Sequence, residues 1–223
     1  MRLCRPAVCL AGILALAGCQ GHRVPSAGPV RSAGSDRVDL ILHRLCAVVP
    51  PGSCRQYHLV TSAVPNASMD AHGNLTLSTG LLQLARTDDL LAFAIAHEFS
   101  HAVLRHPARL RRAGWLQLIA SAAVAWAAHE ASGSRSDAAL AGGGFFLSSA
   151  LLGTLPLMRR MESEADQMAR DILRRAGFDT GAGAEFWKVY ASARPHRPRP
   201  RWLSAHPSDA ARIRSLTPAS EVP

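Results

Sequence analysis

The chain has 223 residues, 48% of them hydrophobic and 18% charged, with a formal net charge of +9. That length supports one domain with a real core and is too short for two comfortable ones. The basic excess collects in Arg105 to Arg112 and in Arg194 to Arg201; with no nucleic-acid-binding module in the sequence, it reads as solvated charge, and a nucleic-acid partner is excluded.

Residues 1–18 read as an export signal. Arg2 and Arg5 open it, Ala7 to Ala17 is a short apolar run, and Leu16-Ala17-Gly18-Cys19 closes it. The run is too short to span a bilayer as a permanent helix. Those last four residues resemble the lipobox of bacterial lipoproteins, which implies cleavage before Cys19 and acylation of that cysteine; an ordinary signal peptide is the alternative. By the same resemblance Gln20, in place of Asp, implies the periplasmic face of the outer membrane. Removing Arg2 and Arg5 lowers the formal charge from +9 to +7.

Residues 19–37 are rich in Gly, Ser, Pro and Ala and read as a flexible tether, which leaves 38–218 as the folded domain. Its first helix is predicted over 38–48, from Val38, Ile41, Leu42, Leu45 and Val48, ending at Pro50. Cys46 and Cys54 are the cysteines left in the folded part; in an oxidising envelope a disulfide is favoured over two buried thiols. Residues 57–64 and 67–78 read as short strands, the second broken into a hairpin at Gly73-Asn74.

Thr87 is a helix cap, with Asp88 and Asp89 in the first turn, and the helix runs to Arg105 before Pro107 stops it. Two apolar stretches come next, 115–128 and 138–158, separated by a polar turn over 129–137. The first is too short to cross hydrocarbon, and Gly142-Gly143-Gly144, Gly153 and Pro156 interrupt the second. They read as a helical hairpin packed on the core or shielding the cleft, with membrane insertion as the alternative. A long helix over 157–176 ended by Gly177, a shorter one over 182–192, a Pro- and Arg-rich loop and a last helix from Ser208 or Asp209 to Leu216 complete the chain. The fold class expected is mainly α with a small β-sheet.

His97-Glu98-Phe99-Ser100-His101 is an HExxH sequence inside the first long helix. Residues four apart project from one helical face, so both imidazoles can reach one metal ion, with Glu98 turned about 100° away to hold a water as general base. Leu90, Leu91, Ala94, Ile95, Ala96 and Val103 make this helix apolar on most sides. Burying His97, His101 and Glu98 without partners would cost several kcal/mol, about what a bound ion would offset. Two imidazoles call for zinc and a third ligand, acidic or imidazole, with one position left open.

On the later helix Glu162 and Asp166 share a face, with Glu164 displaced from it. HExxH on one helix and ExxxD on a later one resembles the zinc metallopeptidase family that includes HtpX, BepA and the CAAX prenyl endopeptidases. The resemblance covers roughly Asp39 to Leu216, including Leu77-Ser78-Thr79-Gly80-Leu81-Leu82. It implies a zincin-like domain holding one zinc, with Glu162 as third ligand and Asp166 orienting a ligand histidine; Glu164 as ligand is the alternative. His206-Pro207 followed by Arg212-Ile213 is also shared, and implies that His206 is a latch on the metal or a substrate contact; a helix cap is the alternative. His58, His72, His106, His129 and His196 lack such context and read as surface residues.

The expected chemistry is hydrolysis of an internal peptide bond, with Glu98 moving the proton. A strand near 66–70 could pair with an extended substrate, and the family likeness suggests misfolded or misassembled envelope proteins as substrates. The rivals are a chaperone-like zinc module that binds without cutting and a membrane-embedded peptidase.

Overall fold

Val38, Ile41 and Leu45 recur at helical spacing and are buried on one face of α1, Ser35–Cys46. The computed structural model describes residues 35–70, 72–193 and 209–217. The signal peptide, Cys19, nearly all of the tether, the loop over 194–201 with His196, and His206 lie outside the described residues. Cys46 at the end of α1 is disulfide-bonded to Cys54.

Three short strands come after it: β1 Tyr57–Val60, β2 Ala67–Met69 and β3 Leu75–Ser78. They form a sheet of order β1-β3-β2, with β1 parallel and β2 antiparallel to β3. The β2–β3 hairpin turns around Asp70, whose side chain accepts from the backbone of His72 and Asn74 and from the Asn74 amide, while Gly73 takes the left-handed conformation. β1 stops four residues short of the expected 57–64. Ser62 leaves the ladder to bond Thr79 Oγ1 and Gly80 N–H instead. A Cβ at position 80 would come within 2.9 Å of the Ser62 carbonyl oxygen, so glycine permits that crossing. Ser78 then caps a short helix not expected from sequence, α2 Thr79–Leu84.

Thr87 caps α3, Asp88–Val103, through its side-chain oxygen. Residues 90–97 of α3 are buried without a break, as are Phe99 and Ser100, which makes this the central helix. Burying side chains such as Phe93, Phe99 and Ile95 stabilises the fold by about 1.5–3 kcal/mol each. α6, Leu155–Ala176, packs along α3 through Ala165 and Ala169, both fully buried. Small residues there let the two axes approach, so longer side chains one turn away meet across the gap. Gly177 ends α6 in the left-handed conformation, and Arg44 of α1 donates to the Ala176 and Gly177 carbonyls left open by the helix end. α7, Ala182–Ser192, and α8, Asp209–Leu216, close the far side.

The hairpin departs from expectation in three ways. Pro107 stops α3, but it also opens the next helix, so α4 runs from His106 to Ser132, entered through Arg105 in the left-handed conformation. The turn shrinks to Gly133-Ser134, where Gly133 is left-handed and Ser134 caps α5, Arg135–Ser149. The glycines and Pro156 do not interrupt the helix: α5 passes through a π-turn, Ala150–Thr154, straight into α6, with Pro156 in the first turn where no N–H is needed. α4 and α5 pair with each other far more than with the core.

Candidate metal centre

His97 and His101 lie one turn apart on α3 and turn their Nε2 atoms toward each other at 3.1 Å. Glu162 of α6 completes the group: its Oε2 is 3.6 Å from His97 Nε2 and its Oε1 3.7 Å from His101 Nε2. All three ligand atoms lie within 4.8 Å of one another. Two imidazole nitrogens and a carboxylate, converging where α3 meets α6, are the donor set of a zinc site with an open fourth position. Two neutral imidazoles cannot satisfy each other with opposed lone pairs; a cation between them can.

The outer nitrogens of both rings are held by the protein. His97 Nδ1 sits 3.1 Å from Asp166 Oδ1, close in distance though not aligned as a hydrogen bond. Asp166 is clamped from behind by Arg212, whose Nε and Nη2 each donate at 2.7 Å, and by Trp187 Nε1 at 3.3 Å. Arg212 Nη1 also reaches Glu162 Oε2 at 3.1 Å, and its guanidinium lies 3.5 Å over the Trp187 ring. One arginine therefore fixes the carboxylate behind His97 and the carboxylate that faces it.

His101 is oriented by a second chain of contacts. Its Nδ1 is 3.0 Å from His106 Nδ1, and His106 Nε2 is 3.3 Å from Glu164 Oε2. Glu164 is in turn paired with Arg109 at 2.7 Å and Arg160 at 2.8 Å. His106 is buried, contrary to its reading as a surface residue. The left-handed turn at Arg105 swings the start of α4 back against the end of α3, and no local sequence pattern announces that. Glu164 points into this arginine and histidine cluster rather than into the group formed by Glu162. Nor does the sequence alone mark Arg212 and Trp187 as site residues; their signal is a tertiary contact between α6, α7 and α8.

In the protein alone the two histidines share their charge unequally. Burial opposes the charged form of His97, but Asp166 and Glu162 raise its pKa to about 9. Burial and the neighbouring His97 lower His101 to about 3. Desolvation raises Glu98 to about 7, with Met69 N–H among the groups pulling it back. Glu164 is lowered to about 2, chiefly by its bond from Arg109.

His106 tests whether this outer chain matters. Because such contacts fix ring orientation and basicity, His106→Ala should weaken zinc binding about 10–100-fold, read by chelator competition, while His106→Gln recovers part of the loss. Unchanged affinity in both variants would show that His101 needs no such support.

Compared with known proteins, residues 36–220 match the family described as Peptidase family M48. Curated relatives include the mitochondrial metalloendopeptidase OMA1 of Schizosaccharomyces pombe, 29% identical over 185 residues, covering 80% of this chain and 51% of that protein. The bovine OMA1 metalloendopeptidase is 32% identical over 169 residues, covering 71% of this chain and 31% of its own. The beta-barrel assembly-enhancing protease of Escherichia coli K12 is 28% identical over 165 residues, covering 70% and 32%. The chain thus spans about half the length of the first of these relatives and about a third of the other two. With a family match over most of its length and HExxH meeting a later-helix glutamate in space, this chain belongs to peptidase family M48.

Proposed function

We propose that the chain is a zinc-dependent endopeptidase of the bacterial cell envelope that cuts unfolded or misassembled envelope proteins. The observation that carries this reading is the convergence of His97, His101 and Glu162 on one point, with Glu98 beside them on the same helix. His97, His101 and Glu162 are the metal ligands in this reading, Asp166 and His106 position the two rings, and Glu98 is the general base. Zinc held there supplies Lewis acidity, polarising a carbonyl and lowering the pKa of a water from about 15.7 toward 7. Glu98 takes the proton of the attacking water and hands it to the leaving amide nitrogen. Its raised pKa suits that task, because a base near neutrality can both accept and release a proton at working pH.

β2 supports an extended substrate. It lies at the edge of the sheet, and Met69 at its end donates its backbone N–H to Glu98. A peptide added along that edge would run beside the base, and only loosened chain can lie extended in this way. The names of the relatives, metalloendopeptidases and a beta-barrel assembly-enhancing protease, support the same reading. For location, the proposal takes 1–18 as a lipoprotein signal, Cys19 as the acylated residue, 19–37 as tether and 38–218 as the enzyme, held on the periplasmic face of the outer membrane. His206 precedes by six positions Arg212, which touches Glu162, and the proposal gives it a latch or substrate-contact role.

Zinc-loaded protein should cleave unfolded β-casein, lose that activity to a chelator and regain it on zinc addition. Casein left intact by fully loaded protein would favour the rival reading of a binding module.

A further inference from the structure

α4 and α5 are inside-out relative to a water-soluble helix pair. Trp115 and Trp126 are each 66% exposed, and Leu116, Ile119, Leu140 and Leu152 are also open. The polar side chains are the ones turned inward: Gln117 is 8% and Ser121 9% exposed. Gln117 Nε2 donates to the Phe146 carbonyl at 2.8 Å, Thr154 Oγ1 donates to Gln117 Oε1 at 3.0 Å, and Ser121 Oγ donates to the Gln117 carbonyl at 2.7 Å. Polar atoms satisfied within the pair and apolar surface outside is what hydrocarbon demands of a helix pair. The seam is close: a Cβ on Gly142 would lie 2.8 Å from Ala125 Cβ and 2.9 Å from the Ser121 carbonyl. Small residues at a crossing are the usual means of association where burial from water does not drive it.

Length and charge identify the occupant. The uncharged stretch of α4 over 113–128 rises about 24 Å, and 138–158 about 31 Å, against hydrocarbon about 30 Å thick. The continuous helix Arg135–Ala176 is long and apolar enough to cross a membrane. The base of the hairpin carries Arg105, Arg109, Arg111, Arg112 and Arg160, complementary to anionic headgroups. On α4, Trp115, Leu116, Leu118, Ile119 and Trp126 are all exposed and spread over about 160° of its circumference, opposite the Gln117 and Ser121 seam. A protein groove takes a stripe; hydrocarbon takes every outward direction.

We propose that the α4–α5 hairpin is inserted in a lipid bilayer, its arginine base at anionic headgroups and its seam sealing Gln117 and Ser121 away from the acyl chains. This second attachment is independent of Cys19 and of peptidase activity. The test is tryptophan quenching in the full chain, reconstituted in phosphatidylethanolamine–phosphatidylglycerol vesicles with or without brominated acyl tails. The chain has four tryptophans; with two of them in the hairpin, brominated tails should remove about half of the emission. The Trp115→Phe/Trp126→Phe variant, conservative enough to fold, should lose most of that quenching. Equal quenching in both proteins would overturn the proposal. So would no quenching at all, whether the hairpin proved to be buried in a second copy, detected by cross-linking, or bare in water.

Discussion

Glu98→Gln should retain its zinc and lose at least about 10²–10⁴-fold in the rate of casein cleavage, the usual worth of a positioned acid–base group. The amide keeps the shape of Glu98 but cannot take a proton from water. None of the distances that bring His97, His101 and Glu162 together depends on it. The comparison therefore separates catalysis from metal binding, and also an enzyme from a module that only holds its clients. Parallel zinc analysis and initial rates on unfolded casein check it. Cleavage at the wild-type rate would remove Glu98 from the mechanism and leave the proton path without a carrier.

Arg212→Ala should cost about 3–5 kcal/mol of folding stability, the range for breaking a buried ion pair from one side. Arg212 is buried, and it bridges two carboxylates that are themselves buried, Asp166 and Glu162. Its loss leaves both without a cation and uncovers one face of Trp187. The cost is best read from urea unfolding with chelator present, so that a bound ion does not mask it. Arg212→Lys should fall between, because an ammonium keeps the charge but cannot make the paired bonds to Asp166. A loss under about 1 kcal/mol for Arg212→Ala would mean that the carboxylates find another partner.

The parts of this molecule legible in its sequence are those set by local rules. Thr87 before two aspartates, Gly177 after an amphipathic run and the Pro107 break each mark a helix end by chemistry within a few residues, and the helices begin or end there. HExxH and the Glu162–Asp166 spacing are readable because helical geometry alone puts each pair on one face. α2 escapes because six residues show no period. β1 is shorter than its β-forming residues suggest because Thr79 and Gly80, far along the chain, take up Ser62. His106 and Arg212 escape for the same reason on a larger scale: each acts through a neighbour brought in by the fold. The hairpin is visible as composition, but its polarity is not. Gln117, Ser121 and Ala125 stand four apart on one stripe, and only the partner helix shows that this stripe is the inside.

Zinc content per chain, measured on purified wild type beside Glu162→Gln and Glu164→Gln, bears most directly on the metal centre. One zinc in wild type, little in Glu162→Gln and a nearly full complement in Glu164→Gln is the expected pattern, because Glu164 is engaged by Arg109, Arg160 and His106 rather than facing the two imidazoles. Zinc lost from Glu164→Gln and kept by Glu162→Gln would contradict it and move the third ligand to the other carboxylate.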